Sequence, residues 1–573
     1  MILKALCDYY ERNKDKLPSF GLELKEIGFL IVISRDGKFL RFEDRRIDKK
    51  QAQAFLVKKQ VGRTSAPIAN FLYDNCAYVL GYNNKDGDDN KVRNCFNLFK
   101  AKIQDALSKK PDNKDLKALS LFYAQSPEDI LACIQTDPLW DDIVKNLNKK
   151  YSNFSFLIEG DTTIVASKQE LISLSVENGQ NDKIMRCIVS GESMPIVETT
   201  TATMIQGSQA TAKLVSFQVG SGYDSYGKQK GFNAPIGDKT NFYYTTALNS
   251  MLSSDSRNKF HIGNRTFVFW ASSTDKTSQS IEDGIFSLFG LSDNDESASA
   301  VQVRKVFKSI YSGELKTPLD DRFYILGLAP NSARIAVSYW ADIQLKEFAG
   351  LILRHFDDME IISRNGYDSF YGLYSLMAAT TATGKSTDAS PNLAEQLVKS
   401  IFEGNPYPFG LFVGVLNRIR AGKNNISSTQ AGIIKAYLNR LRNNNNINLK
   451  IMLDKENKNQ GYLCGRLFAV LVKMQEDANN ISTVRERYMS SASSTPAAVF
   501  STILNLSSHH AEKLNQGRQV YFEKLKQEII DKLDADGFPA HLDLQDQGRF
   551  FVGYYHQRQD FFQSREETAV DEN

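Results

Sequence analysis

Residues 213–249 read KLVSFQVGSGYDSYGKQKGFNAPIGDKTNFYYTTALN. The stretch opens with residues 214–219, whose alternation of apolar and polar side chains predicts a strand. It then becomes small and polar, with glycines that allow backbone shapes a Cβ would block: Gly220, Gly222, Gly227 and Gly231. Pro235 stiffens the exit, and Phe242 begins a helix-like segment. The pattern predicts mixed α and β structure around a glycine-rich loop.

This loop carries side chains that suit contact with a nucleic acid. Lys228 and Lys230 supply positive charge for phosphates, while the rings of Tyr223 and Tyr226 supply stacking faces. Two amide side chains can donate and accept together at a base edge, namely Gln229 and Asn233. An ordinary polar surface loop has the same composition, so the loop alone leaves both interpretations open.

A second group of candidate contacts lies nearer the N-terminus. Residues 41–63 are rich in lysine and arginine, and the block at 62–75 places Arg63, Ser65 and Asn70 around Pro67. These residues mix groups that position phosphates with an amide able to touch a base, so we expect them to assist the loop. Ser65 also fits a simple helix-capping turn.

Length and composition set further bounds. A chain of 573 residues with 42 % hydrophobic content suggests two or three domains, and a net charge of +3 requires any nucleic-acid surface to be local. The six cysteines contain no Cys-x-x-Cys pair and have no histidine set nearby, which argues against a disulfide framework and a zinc site. We expect no cofactor. We find no signal peptide and no membrane-spanning run, so we expect a soluble cytoplasmic protein.

The predicted fold class is α+β in several domains, with a mixed α/β portion at residues 1–390 and a helical bundle at 391–573. A helix is expected at residues 2–10 and helical scaffold at 91–150. Residues 272–300, rich in Ser, Asp and Thr, are predicted to form a surface insertion. A turn at 329–331 is expected to join the last two of the predicted strands, which are residues 28–33, 154–158, 162–166, 184–189, 265–270, 323–328 and 334–340.

The predicted bundle contains an imbalance of charge. Residues 411–475 hold eleven basic side chains and two acidic ones, Asp454 and Glu456. So little neighbouring acid favours phosphate binding over a solvated face, although helices often carry charge runs for solubility alone. The candidates for strand phosphates are Arg418, Arg420, Lys435, Arg440, Arg442, Lys455, Lys458, Arg466 and Lys473.

Two segments raise the question of catalysis. Residues 382–386, ATGKS, imitate the end of a phosphate-binding loop, but Ala379 stands where the first glycine is needed. His355, Asp357, Asp358 and Glu360 could be pictured as metal ligands of a nuclease. Their spacing instead favours the solvated face of an amphipathic helix, so we expect a protein without catalytic activity.

Several blocks in order along the chain resemble the large subunit of the type I-C CRISPR Cascade surveillance complex. These are MILKALCDYYER at residues 1–12, GRTSAPIANFLYDNCAYVLGY at 62–82, SFQVGSGYDSYGKQKGFNAPIG at 216–237 with FYYTTALNSML at 242–252, and GFPAHLDLQDQGRFFVGYYHQRQ at 537–559. The chain departs from the resembled pattern at residues 198–207, where a histidine and a more glycine-rich run are expected.

The resemblance implies a function in a crRNA-guided complex. Such a subunit recognises the protospacer-adjacent motif in double-stranded DNA, helps to open the duplex into an R-loop and presents the target to a helicase-nuclease. Its implied partners are crRNA, target DNA, and the backbone, crRNA-processing and small subunits, with no membrane. Guide pairing reads the long sequence, so the protein need read only the motif. The alternatives are a metal-dependent nuclease and a structural helical scaffold without DNA contact.

The resemblance also implies a small subunit translated from inside the large-subunit gene. Met452 follows a polar connector and precedes a segment, 452–573, with its own apolar helical faces. We therefore expect an internal start at Met452. Met474 and Met489 are weaker alternatives because they would cut into or discard the first helix of that segment.

Overall fold

The computed structural model describes residues 2–61, 67–82, 89–149, 151–175, 183–220, 222, 224–262, 264–289, 296–314, 321–364, 366–368, 371–422, 425–441 and 448–570. The chain divides into two compact units. The N-terminal unit holds Leu6–Thr201 and Phe217–Ala247. The C-terminal unit holds Met1–Ala5, Ala202–Ser216 and Leu248–Asn573.

The N-terminal unit, with the helices at its borders, combines short strands with helices of different lengths. In chain order its elements are α1 (Ile2–Arg12), β1 (Leu22–Glu26), β2 (Phe29–Ile33), β3 (Phe39–Asp44), β4 (Ala54–Lys58), β5 (Tyr73–Asn75), α2 (Cys76–Val79), α3 (Asp89–Lys109), α4 (Lys114–Phe122), α5 (Pro127–Ile134), α6 (Trp140–Asn146), β6 (Asn153–Ile158), α7 (Gln169–Ile172), β7 (Ile184–Arg186), β8 (Ser193–Pro195) and α8 (Asp238–Leu252).

The core of the N-terminal unit forms on a four-stranded sheet of order β3-β2-β6-β5. All five residues of β2, FLIVI, are buried, as an uninterrupted apolar strand in the middle of a sheet requires. β2 pairs in parallel with β6, so Phe29 lies opposite Phe154. Helical residues such as Phe99 and Leu119 belong to the same hydrophobic cluster. Outside this sheet, β7 and β8 form an antiparallel hairpin.

The C-terminal unit contains one larger antiparallel sheet followed by helices in series. Its elements are β9 (Lys259–Ile262), β10 (Arg265–Ala271), α9 (Lys276–Phe289), α10 (Glu296–Ser312), β11 (Arg322–Asn331), β12 (Arg334–Gln344), α11 (Leu345–Met359), β13 (Ile361–Ser363), β14 (Gly366–Asp368), α12 (Leu373–Ala378), α13 (Pro391–Phe402), α14 (Phe409–Ala421), α15 (Ser428–Arg440), α16 (Gln460–Asn479), α17 (Thr483–Ser494), α18 (Pro496–Ala511), α19 (Gln516–Ile530) and α20 (Leu544–Val570).

One hydrophobic cluster joins this sheet to the later helices. The strand order is β12-β11-β10-β9, and Phe269 on β10 lies opposite Ile325 on β11. Both side chains belong to a cluster of buried residues that continues through Phe348 on α11 to Phe468 and Phe550 on the last helices. The α+β class with a helical C-terminal region is confirmed. The boundary between residues 390 and 391 stays a prediction.

Most predicted elements are confirmed, but five local predictions are wrong. Residues 214–219 form no strand, because the chain makes only an isolated bridge, from Lys213 to Arg334, before it turns away. Residues 162–166 end in a short 3-10 helix, and the strand predicted at 184–189 stops at Arg186. Residues 329–331 belong to β11, and the turn follows at Ser332, whose φ is +52°.

The fifth error concerns the predicted surface insertion at residues 272–300. Helix α9 occupies much of it, and Ile281, Ile285 and Phe289 are completely buried in the cluster of the C-terminal unit. The polar residues lie on the outer face of an amphipathic helix, which composition alone does not distinguish from a loop. Across the described ranges, none of the helices combines the length and the apolar character needed to cross a membrane.

Candidate nucleic-acid interface

The glycine-rich loop, residues 218–234, presents a tight turn to solvent. The Lys228 backbone N–H donates to the Ser225 carbonyl at 2.9 Å, closing a turn around Tyr226 and Gly227. Both central residues have positive φ, +52° and +68°, as in a type I′ turn. Glycine adopts this shape freely, whereas a tyrosine does so at a steric cost. The turn leaves the Tyr226 side chain 99 % exposed.

The far end of the loop is fixed to the segment that follows the β7–β8 hairpin. The Gly231 N–H donates to the Glu198 carbonyl at 2.9 Å, and the Val197 N–H donates to the Ile236 carbonyl at 3.1 Å. A Cβ added to Gly231 would lie 2.4 Å from the Val197 carbonyl oxygen, so this approach needs glycine. Backbone hydrogen bonds therefore hold the end of the loop in place, while the turn at residues 225–228 is exposed.

Asn233, a predicted base contact, is used inside the loop. Its Oδ1 accepts from the Ser225 N–H at 3.2 Å, and its Nδ2 donates to the Lys230 carbonyl at 3.1 Å and, more weakly, to Asp224 Oδ1 at 3.4 Å. The side chain is half-buried. In this conformation the amide holds the loop together, and a base could use it only by replacing these bonds.

The other three predicted loop contacts, Lys228, Gln229 and Lys230, differ in how freely their side chains could reach a nucleic acid. Lys230 has a positive φ of +47°, and its Nζ lies 2.8 Å from Glu198 Oε1. Lys228 and Gln229, in contrast, have exposed side chains beside Tyr226. Glu198 begins the segment at which the chain departs from the resembled pattern, and it contacts the loop through both its backbone and its carboxylate. The turn and the residue after it thus expose the side chains of Tyr226, Lys228 and Gln229.

The second group of predicted contacts is Arg63, Ser65 and Asn70, and none of the three is seen on the surface of the described structure. Arg63 and Ser65 fall outside the described residues. Asn70 is only 2 % exposed, and its Oδ1 accepts from the Val61 N–H at 3.0 Å while its own N–H donates to Asp74 at 2.8 Å. Asn70 therefore holds the local backbone, and a base cannot reach it in this conformation.

Four of the basic residues predicted to contact strand phosphates have internal partners instead. Arg466 is completely buried and donates to Gln557 and Glu528, both at 3.1 Å. Lys435 is 3 % exposed, and burial lowers the pKa of its ammonium group. Arg440 is 6 % exposed and lies beside Asp358, while Lys473 Nζ lies 2.5 Å from Asp477 Oδ1.

A strand could contact the three deeply buried members of this set, Lys435, Arg440 and Arg466, only if the helices separated. Their burial is possible because carbonyl and carboxylate oxygens inside the protein can accept hydrogen bonds from basic side chains that point inward. The remaining candidates are more accessible. Lys455 and Lys458 are exposed, and Arg418 and Arg420 are partly exposed. Arg442 falls outside the described residues.

The carboxylates considered for metal binding are also engaged by arginines. Arg304 Nη2 lies 2.7 Å from Asp357 and 3.3 Å from Glu360, and Arg440 pairs with Asp358. His355 is completely buried and its Nδ1 lies 2.8 Å from the Tyr407 hydroxyl, so the predicted solvated face is wrong at this residue. Within the described part of the chain, no group of three or more His, Cys, Asp or Glu side chains could hold a metal ion.

Sequence reasoning missed two features of this region. Glu198 was not a candidate, because its pairing with Lys230 joins residues 32 positions apart. Lys183 was also missed, although its Nζ lies 4.8 Å from the centre of the Phe232 ring. No local sequence pattern identifies either partner, because both contacts join residues that are far apart in the chain.

Comparison with known proteins places the chain in a family. A sequence model described as CRISPR-associated protein (Cas_Csd1) matches residues 6–562. No curated protein matches the chain. The family match includes the exposed loop, both compact units and the helical region, so it does not depend on one motif. The chain belongs to the Cas_Csd1 family of CRISPR-associated proteins.

Proposed function

We propose that this protein is the non-catalytic large subunit of a type I-C crRNA-guided surveillance complex and that its exposed loop reads the protospacer-adjacent motif. Family membership supports a partnership with crRNA and other CRISPR-associated proteins in general. The observation that carries the finer proposal is the turn at residues 225–228 with the residue that follows it, which together expose an aromatic ring, a lysine and an amide. These are the groups that stack, hold phosphates and recognise base edges.

The three exposed side chains have different proposed roles. Gln229 contacts a base edge, because an amide can donate and accept at once. Lys228 holds a phosphate, which strengthens binding to any sequence. Tyr226 stacks against a base at the edge of the motif as the duplex opens. Asn233 and Lys230 set the shape of the loop through the contacts described above.

Equilibrium binding of the assembled complex to short duplexes tests this division. Gln229→Ala should cost about 1–3 kcal/mol on the correct motif and little on a scrambled one. Lys228→Ala should weaken both duplexes alike and reduce the salt dependence by about one phosphate contact. Lys239→Ala, an exposed lysine on α8 outside the loop, is the matched control. Equal losses on both duplexes for Gln229→Ala would remove it from motif reading.

A second proposal concerns the strand displaced when the duplex opens. We infer that Arg418, Arg420, Lys455 and Lys458 contribute to a positive surface that holds this strand by its phosphates. What supports it is the exposure of Lys455 and Lys458, and the partial exposure of Arg418 and Arg420, within a region of the sequence poor in acidic residues. Recruitment of a helicase-nuclease to the opened duplex stays a proposal based on the family resemblance.

The internal start at Met452 also remains a proposal. Helices α16 to α20 share buried contacts of their own, including Phe468 with Phe500 and Phe550. The same helices also contact the preceding chain, because the Tyr555 hydroxyl donates to the Ile362 carbonyl at 2.7 Å. A product beginning at Met452 would expose that face. We therefore expect such a product to be found bound to other subunits and not free.

The metal-dependent nuclease has no comparable support, since Asp357 and Asp358 are each paired with an arginine. A nuclease assay of the purified protein with Mg²⁺ or Mn²⁺ distinguishes it from the proposal. Salt-dependent duplex binding distinguishes the proposal from a scaffold without DNA contact.

A further inference from the structure

A groove with a volume of about 910 Å³ lies between α10 and α11, within the C-terminal unit and far along the chain from the exposed loop. α10 contributes Lys305, Lys308 and Tyr311, which recur at helical spacing on one face. α11 contributes Glu347, Gly350 and Arg354 to the opposite wall. The groove is thus formed by two facing helical stripes.

Positive charge in the groove exceeds the acid available to neutralise it. Arg304, at one end, is held by Asp357 at 2.7 Å and Glu360 at 3.3 Å. Lys305, Lys308 and Arg354 are exposed, and among the described side chains none of the three has a carboxylate partner within ion-pair distance. Glu347 also lines the groove and is exposed, so it offsets one of these three positive charges. Unpaired cations on a concave surface attract anions more strongly than the same charges on a convex one.

Tyr311 adds a flat aromatic surface to this charged groove. A Cβ added to Gly350 would lie 2.8 Å from Tyr311 Cε2, so the ring lies directly against the backbone of α11. The ring nevertheless remains 55 % exposed. A ring supported on one side and open on the other loses little freedom when a base stacks on it.

The dimensions fit a short length of single strand. Lys305 and Tyr311 are six residues apart, which is about 9 Å along a helix axis. A few nucleotides therefore suffice to place phosphates at the lysines while a base lies over the ring. A duplex would present its bases edge-on and could not stack on Tyr311 without opening.

We propose that the α10–α11 groove binds single-stranded nucleic acid, with a base stacked on Tyr311 and phosphates held by Lys305, Lys308 and Arg354. The groove shares no residue with the exposed loop or with the proposed strand surface on the later helices. If the groove binds no single strand, the proposals for the exposed loop and for the strand surface are therefore unaffected. The shared chemistry fits DNA and RNA, because phosphates and base faces occur in each.

Fluorescence anisotropy of the full-length chain with labelled oligo(dT) and oligo(U) of about 12 nucleotides tests the proposal. Tyr311→Ala should weaken binding about 10-fold with little change in salt dependence, and Tyr311→Trp should retain it. Lys305→Ala with Lys308→Ala should flatten the salt slope by about 0.7 for each lysine. Lys346→Ala, an exposed lysine on α11 outside the groove, is the matched control. Melting curves check that every variant folds.

A 5-iodouridine oligonucleotide gives an independent readout, since ultraviolet cross-linking and mass spectrometry identify the peptide that it touches. A cross-link to the peptide containing Tyr311 supports the proposal, and the tighter of the two oligonucleotides identifies the strand as DNA or RNA. Two results overturn it. One is that the groove variants bind both oligonucleotides as the wild type does. The other is that the groove variants lose binding to a model acidic amphipathic peptide but keep binding to both oligonucleotides, which would assign the groove to a protein partner.

Discussion

Arg440 offers a sharp test of the difference between a basic residue that holds DNA and one that holds the fold. Its Nε lies 2.5 Å from Asp358 Oδ2, and its Nη1 donates to the carbonyls of Ser400 at 2.6 Å and Asn405 at 2.8 Å. Its guanidinium carbon lies 4.3 Å from the centre of the Tyr407 ring. Arg440→Ala removes all four contacts at once.

The expected loss follows from what the substitution leaves behind. The Asp358 side chain is only 17 % exposed, so without Arg440 a mostly buried carboxylate loses its ion-pair partner and keeps only the weaker influence of Arg354 and Lys435. Breaking a buried pair from one side typically costs about 3–5 kcal/mol of unfolding free energy. The two carbonyls lose their donors as well, which places Arg440→Ala at the upper part of that range.

The loss should depend on pH. Burial raises the pKa of Asp358, and Arg440 opposes this effect. In Arg440→Ala the pKa therefore rises further. A carboxyl whose pKa is raised by folding favours the folded state when protonated, and this contribution is lost as pH rises through the folded pKa. The deficit of the variant should consequently shrink as the solution is acidified from neutral pH.

Urea unfolding at several pH values measures the loss of unfolding free energy in Arg440→Ala and how this loss depends on pH. The exposed Lys455→Ala variant is the control and should change stability by less than about 0.5 kcal/mol. Adding Asp358→Asn to Arg440→Ala should restore part of the loss, since it removes the unpaired charge. A loss below about 1 kcal/mol for Arg440→Ala, or one that does not change with pH, would refute the structural role assigned to this residue.

Three further predictions concern the loop, the strand surface and the internal start. Gly231→Ala should lower stability by about 1–3 kcal/mol, because its Cβ would lie 2.4 Å from the Val197 carbonyl oxygen; a melting temperature equal to wild type would count against this close approach. Charge reversal of Lys455 and Lys458 together should reduce permanganate reactivity of the displaced strand but leave initial motif binding intact; the idea fails if reactivity is unchanged. Met452→Leu should abolish a small species seen by intact mass; a species of unchanged mass would show that translation starts elsewhere.

Much of the fold follows from local sequence patterns. The run FLIVI at Phe29–Ile33 has no polar residue, and a strand buried on both faces requires this composition. Residues 214–219 show the limit of the same reasoning. Their alternation suits a strand, yet no strand forms there and the isolated bridge lies at the preceding Lys213, because a strand also needs a neighbour with free backbone groups. Neighbours of this kind come from distant sequence.

The candidate site was predictable in kind but not in detail. Composition indicated a polar, basic, glycine-rich loop at residues 218–234, and the structure exposes Lys228 and Gln229 there. Composition could not show that Asn233 bonds to Ser225, since this depends on the turn at Tyr226. For the helices, eleven basic residues predicted a binding surface, but the inward direction of Arg466 depends on its partners in α19 and α20.

Site-directed photocross-linking tests most directly whether the exposed loop contacts the motif. A photoreactive phenylalanine analogue placed at position 226, which is almost fully exposed, would be assembled into the complex and irradiated on target duplex DNA. The account predicts cross-links to nucleotides within or beside the protospacer-adjacent motif, and their loss on a scrambled motif. The same analogue at the exposed position 239 should give none there. Cross-links from position 226 only to DNA distant from the motif, or to no DNA, would contradict the account.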